Sequence, residues 1–401
     1  MVPEGWDVSK LSDLCQKTIS YGIVQTGEKG IGKIPCVRVV DLAKSKMSAE
    51  AMITTTEEIS ASYKKTVLEE NEIMFALRGE IGLVRMVPAD LAGANLTRGL
   101  ARISAKVSAI TPEFLFRQIQ SEDFRRDLLR RVNGSALQEI PLSELRNVRV
   151  AVAPLAEQKK IAEILSTWDR AIEVAEAQLE AARTQKRALM QQLLTGKRRF
   201  PEFEGDEWKE VKLGDVLGLV AGKSKREFLD DEGDKIVLDM GSVSRDGGVI
   251  GKKRTFVDFD VLKVGDLVMP KDDIGGGNII GKVVLVDQEN AFVLGDHVYR
   301  LRVIPGVAAN PSYLRYAING TTINRWFRRK ANGTAQLGLN RKDVERQVVF
   351  LPSIEEQKKI AAILSGSEAE LAQFKAQIQK LSTEKKALMQ QLLTGKRRVL
   401  V

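Results

Sequence analysis

Apolar residues recur at alternating spacings of four and three along two stretches of the chain. Ile161, Leu165, Trp168, Ile172, Ala175, Leu179, Ala182, Lys186, Leu189 and Leu193 mark the first. Ile360, Leu364, Ser367, Leu371, Phe374, Ile378, Leu381, Lys385, Leu388 and Leu392 mark the second. Such spacing is an a/d seam and predicts a helix in each stretch. No proline interrupts either run, and Gly196 and Gly395 follow Leu-Leu-Thr where a C-cap glycine belongs. About 38 residues at 1.5 Å each predict a rod of roughly 57 Å, and two such rods in one chain most simply pack against each other. Lys186 and Lys385 fall mid-seam, where a polar group either fixes register or snorkels outward.

Elsewhere the pattern is strand-like. Runs at Ile34–Val40, Glu72–Leu77, Leu83–Val87 and Arg102–Ser108 are matched later by Lys235–Met240, Leu267–Met269, Ile279–Val286 and Val298–Ile304. Glycine clusters separate them, at Gly27-Glu28-Lys29-Gly30-Ile31-Gly32 and Gly275-Gly276-Gly277. A short helix follows each set, opened by Thr111-Pro112-Glu113 or Asn310-Pro311-Ser312, an N-cap with proline at N1. Each set reads as an α+β globule of about 150 residues, within the usual size range of a domain.

The two halves are copies. Lys186–Arg199 reads KRALMQQLLTGKRR and Lys385–Arg398 reads KKALMQQLLTGKRR, 13 of 14 positions agreeing at an offset of 199. The same offset carries EQKKIAEILS from Glu157 onto EQKKIAAILS from Glu356, and Asn133-Gly134-Ser135-Ala136 onto Asn332-Gly333-Thr334-Ala335. Near the start it becomes 202, taking Trp6, Leu11 and Asp13 onto Trp208, Leu213 and Asp215. The chain is a tandem duplication of about 200 residues. Divergence is uneven: residues 20–110 barely resemble 220–309, whereas the last 40 or so residues of each half are close copies.

Composition narrows the chemistry. The 401 residues carry 62 Lys+Arg against 53 Asp+Glu, a net charge of +9, which suits a polyanionic partner but decides little alone. Two cysteines and one histidine supply neither a disulfide framework nor a zinc spacing, so Cys15, Cys36 and His297 read as structural. No long apolar run predicts a membrane span, and a start of MVPEGWDVSK without a signal peptide predicts a cytoplasmic address.

Two motifs nearly match catalytic signatures and fail. Asn310-Pro311-Ser312-Tyr313 resembles the Asn-Pro-Pro-Tyr loop of adenine methyltransferases, but lacks the second proline, and a helix cap explains both it and its repeat partner. Gly218-Leu219-Val220-Ala221-Gly222-Lys223-Ser224 is one residue short of a phosphate-binding loop, which would misplace the cradling amides. Nucleophile schemes lack partners for the sole histidine. No catalytic constellation and no cofactor-binding motif is read in this chain.

The basic residues read as DNA contacts or as solvated faces. Arg126 and Arg130 align at offset 199 with Arg325 and Arg329, one turn apart in each half, and Arg131 aligns with Lys330. Arg78 and Lys271 lie in glycine-flanked turns after a strand; Arg98, Arg102, Arg245 and Arg300 are further candidates.

Two variable globules alternating with near-identical helices, together with EQKKI, ALMQQLLTGKRR and Pro3-Glu4-Gly5-Trp6, closely resemble the specificity (S) subunit of type I restriction-modification enzymes. The resemblance implies an α+β chain. Two α/β target recognition domains, at 1–154 and 201–352, alternate with two long helices, at 155–200 and 353–401, packed as an antiparallel coiled coil about a pseudo-two-fold axis. It also implies that each recognition domain reads half of a bipartite, asymmetric duplex DNA site. The helices then act as spacer and as docking surface for two modification (methyltransferase) subunits, with restriction (translocase-nuclease) subunits joining. Such a chain is non-catalytic and holds no cofactor; S-adenosylmethionine, ATP and Mg2+ belong to the partners. A spacer of this length matches roughly one turn of DNA, about 34 Å, between half-site centres. From the residues alone, a duplicated coiled-coil scaffold binding only proteins is the alternative.

Overall fold

A computed structural model describes residues 2–27, 32–44, 46–134, 138–274, 276–333 and 337–400. Glu28–Ile31 and Gly275 of the glycine clusters, and Ser135-Ala136 and Thr334-Ala335 of the repeated phrase, lie outside the described residues. The chain divides into two units, Met1–Glu176 with Gln377–Val401, and Ala177–Ala376. Each unit therefore holds one globule, the start of the helix that follows it and the end of the other long helix.

In the first unit a four-stranded antiparallel sheet runs in the order Ser20–Tyr21, Leu100–Ile103, Ile73–Ala76, Val84–Met86. Beside it Ile34–Val37 pairs antiparallel with Ile53–Thr55 and parallel with Asn95–Leu96. The second unit repeats this plan. Leu217–Ala221, Val298–Val303, Leu267–Pro270 and Val284–Leu285 form the larger sheet, and Arg254–Thr255, Lys235–Leu238 and Phe292–Leu294 the smaller. Topology is thus common to segments whose sequences barely agree.

The central strands are apolar throughout because both faces are covered. In Ile73–Ala76, Ile73 and Phe75 face the main core with Phe114 and Leu128, while Met74 and Ala76 face a second core with Val37 and Leu96. Leu267 and Met269 divide from Val268 in the same way. Each main core is closed by both long helices. Ile161, Leu165, Leu392 and Leu393 enter the first, and Leu193, Ile360 and Leu364 the second. Burying one such side chain is worth roughly 1.5–3 kcal/mol.

The long helices span Leu155–Leu193 and Ile354–Leu392, 39 residues each, or roughly 58 Å at 1.5 Å per residue. Both end as the spacing predicts. Gly196 (φ 68°) and Gly395 (φ 70°) take the left-handed conformation, and the Arg198 and Arg397 N–H groups donate back to the Gln192 and Gln391 carbonyls. Every seam position is buried or half-buried. Both seam lysines find carboxylates within their own unit: Lys186 Nζ lies 2.6 Å from Glu368, and Lys385 pairs with Asp169.

Several expectations shift. The single short helix is two, Pro112–Ile119 then Glu122–Leu129, because Ser121 accepts from the Phe124 N–H and caps a new start; Gly320 makes the corresponding break between Pro311–Asn319 and Thr321–Lys330. The run Ile34–Val40 stops at Val37, where the Arg38 N–H and guanidinium donate to Asp41 and open a helical turn at Val39–Leu42. Arg102–Ser108 is displaced, the strand being Leu100–Ile103, and Ile279–Val286 contracts to Val284–Leu285. Pattern reading missed the pair Asp7–Lys10 with Arg149–Val152, since half-exposed edge strands carry too little apolar signal. Thr111 and Asn310 cap their helices as expected, accepting from the Phe114 and Tyr313 N–H groups.

Candidate nucleic-acid interface

The most informative side chains lie at the ends of the two central strands. In the first unit Ala76 pairs with Leu100, and the Leu77 N–H donates to the Gly99 carbonyl at 2.9 Å. One residue beyond that bond lie Arg78 and, in the turn that the Leu100 N–H closes on the Thr97 carbonyl, Arg98. In the second unit Pro270 pairs with Val298, and the Lys271 N–H donates to the His297 carbonyl at 3.0 Å. One step further, Asp272 stands opposite Asp296. A second pairing supports this equivalence: Arg78 bridges Glu139 and Asp272 pairs with Gly338, and 139 and 338 differ by the repeat offset of 199.

The two tips carry opposite charge. Arg78 and Arg98 are exposed, and neither is ion-paired with a described carboxylate. In the second unit His297, in the left-handed region at φ 60°, places Nδ1 2.7 Å from Asp272, and its backbone N–H donates to Asp296 at 2.7 Å. The sole histidine therefore lies exposed at a loop tip and not in a core.

The other candidates separate into available and committed. Arg325 and Arg329 are exposed on Thr321–Lys330, and Arg245 is exposed in the turn closed by the Gly247 N–H on Ser244. Arg130 is exposed just past its helix, whereas exposed Arg126 pairs with Asp123 at 3.2 Å. Lys271 is half-buried, 3.9 Å from Asp272. Arg102 corrects the sequence reading: its side chain is 5% exposed within the sheet, 3.7 Å from Glu72 and donating to the Val67 carbonyl, so it braces the fold and cannot reach a ligand. Arg300, opposite Val268 as Arg102 is opposite Met74, is half-buried with Nε enclosed. Arg131 is held by Asp127 and Glu144, each at 3.1 Å. The repeated basic positions therefore differ in what they are free to do.

The repeated phrases hold each unit closed. In the second unit Arg199 grips the buried Glu356 through Nε (3.0 Å) and Nη2 (2.6 Å), and Trp208 Nε1 donates to the same carboxylate at 3.1 Å. In the first, Arg398 and Trp6 make the equivalent bonds to Glu157, and Arg398 holds its carboxyl below the usual range against the opposing effect of burial. Gln158 and Gln357, both wholly buried, each accept from the N-cap N–H (Thr111 or Asn310) and donate to two carbonyls. Going from Glu157 to Asp169 along one helix matches going from Arg398, just past the end of the other, back to Lys385 within it, so the segments within this unit run antiparallel. Glu356 and Glu368 against Arg199 and Lys186 repeat that arrangement. No motif revealed these clamps beforehand, although the exact repetition of Glu-Gln and Arg was their signal.

The remaining near-motifs stay structural. Leu217–Ala221 is a strand and not a phosphate loop, and burial pushes the Cys15 and Cys36 thiols up to about 12 and about 11. No described group of three or more His, Cys, Asp or Glu could hold a metal ion, and no described helix is long and apolar enough to cross a membrane.

Two copies of one sheet-and-helix plan, each closed by ends of both long helices and each exposing a different tip, define a duplicated recognition scaffold. The sequence profile of the type I restriction modification DNA specificity domain matches residues 3–182 and again 205–382, and the chain belongs to that family. The type I restriction enzyme MjaVIII specificity subunit of Methanocaldococcus jannaschii is 24% identical over 99% of this chain and 94% of its own length. The EcoBI specificity subunit of Escherichia coli is 28% identical over 40% of this chain, a match spanning 34% of that relative. Among solved structures, the type I restriction-modification S subunit from M. genitalium matches with a TM-score of 0.60 at 16% identity, covering 98% of this chain and 96% of the other.

Proposed function

We propose that this chain is the DNA-recognition subunit of a type I restriction-modification complex, each unit reading one half of a bipartite, asymmetric duplex site. The observation that carries the reading is the contrast between equivalent tips: one topology, one set of clamps, and Arg78/Arg98 in the first unit where the second has Asp272/Asp296. A scaffold binding two identical protein partners has no use for that difference, whereas readers of two unequal half-sites require it. The exposed cations Arg245, Arg325 and Arg329, with Arg130 in the first unit, serve phosphate contact.

Lys159, Lys197 and Arg198 recur as Lys358, Lys396 and Arg397, exposed in both copies and outside either core. Their retention where packing does not require it supports one docking surface per unit, for two modification subunits, with restriction subunits joining. Adenine methylation with S-adenosylmethionine, and cleavage with ATP and Mg2+, then belong to those partners, in the cytoplasm. Co-expression with the modification subunit followed by methylome sequencing tests the reading. A two-part motif with unlike halves is expected, absent when this chain is omitted. Methyl transfer by the purified chain alone, or an unchanged methylome without it, would overturn it.

A further inference from the structure

The tip of the first unit is built in a way that a general phosphate contact does not require. Arg78 lies two residues past the strand end Ala76 and Arg98 two before its partner Leu100, and backbone pairing holds each in place. The Arg98 N–H donates to Ile23 at 2.8 Å, and Arg78 bridges Glu139. The Arg78 side chain crosses Gly99, where a Cβ would come within 3.0 Å of its Nε and 3.0 Å of Val39. Gly99 does not have a positive φ, so its lack of a side chain serves the crossing and not a turn. Gly79 (φ 72°) and Gly82 (φ 85°) take the left-handed region in the adjoining loop, Gly79 facing Val39, and Val40, next in the chain, is 59% exposed.

An exposed guanidinium with no described carboxylate partner keeps its full set of donors for a ligand. In the major groove, guanine presents the O6 and N7 pair that one guanidinium fork matches bidentately, and a thymine methyl suits an exposed valine. Resting on the DNA-recognition reading, we infer that Arg78 and Arg98 read guanine in the half-site of the first unit, with Gly99 as the positioning residue that lets Arg78 reach. The equivalent place in the second unit holds Asp272, His297 and Asp296 and has no such reader.

The test is selection from randomised duplexes by the full chain bound to its modification subunits, at fixed salt. The wild-type complex should select guanine in one half-site. Arg78→Ala and Arg98→Ala should each lower the preference for that guanine over other bases roughly 5- to 150-fold, leaving the other half-site unchanged. Arg78→Lys and Arg98→Lys, which keep the charge, should relax the same position at nearly full affinity, and Gly99→Ala should do so by displacing Arg78. Uniform loss of affinity across all sequences with a shallower salt dependence, or no guanine lost from either half-site, would overturn this inference and leave the DNA-recognition reading standing. Absence of any sequence preference in the wild-type complex would instead overturn that reading.

Discussion

In the first unit Arg398, Trp6 and Glu157 lock a helix end to a globule; in the second Arg199, Trp208 and Glu356 do the same with the same atoms. At the sheet tips the two units share backbone pairing and nothing else, arginines in one and aspartates with a histidine in the other. Each clamp carboxylate accepts from an arginine and a tryptophan at once, so its substitution strands both donors. The tips are held by backbone pairing, so their side chains differ between the units while the topology stays the same. An intermediate case shows that geometry is kept even where order is not. Phe116-Arg117 in the first unit becomes Arg315-Tyr316 in the second, yet Arg117 still pairs with Asp169, and Arg315 with Glu368 at 2.8 Å.

The comparison breaks most severely at the clamp. Glu356→Ala leaves Arg199 and Trp208 without their acceptor, and urea unfolding of the full chain should show a loss of roughly 3–5 kcal/mol, as for other broken buried pairs. A loss too small to measure would mean that water replaces the carboxylate.

The two C-cap glycines should respond unequally. Gly196→Ala incurs the left-handed cost alone, roughly 1–2 kcal/mol, since its new methyl lies 3.6 Å from Trp208. Gly395→Ala should lose more, because its methyl would fall 2.4 Å from Pro3. Equal melting shifts would show that the first unit's terminus yields freely.

Acid should weaken both units through their paired carboxylates. Arg398 holds Glu157 below the usual range; at Glu368 burial pushes upward, but Lys186 and Arg315 outweigh it and the net shift is downward. A carboxylate with a depressed folded value contributes fully above its unfolded value, about 4.3, and loses that contribution as pH falls through the folded one. Glu157→Gln and Glu368→Gln should each flatten the fall in stability below about pH 5, measured by denaturant unfolding across pH. An unchanged acid limb in either variant would place the dependence elsewhere.

The smallest expected effect concerns the exposed helix of the second unit. Arg325→Ala and Arg329→Ala should each lower the salt slope of duplex binding by about one unit and leave sequence preference intact. Altered preference would move these residues from the phosphate to the bases.

Much of this architecture was legible from periodicity and self-comparison. The rods, their glycine caps, the proline-led helix starts and the duplication all rest on local spacing or on copying within the chain. Among the site residues, Arg78 and Arg98 were recognisable as loop cations, whereas Arg102 looked the same in sequence and proved to be a buried brace on Glu72. An arginine in an apolar run gives no local sign of whether the adjoining strand offers it a carboxylate.

The helical plan follows from the order of residues alone, because a seam and a cap are satisfied within a few turns of one segment. The equivalence of Arg78 with Asp272 does not. They are 194 residues apart, neither 199 nor 202, since the intervening loops differ in length. Loops lengthen at small entropic cost, while a hydrogen-bond ladder fixes register across whatever they enclose. Only the folded sheets, pairing Ala76 with Leu100 and Pro270 with Val298, decide which residues lie at each tip and so what each unit presents.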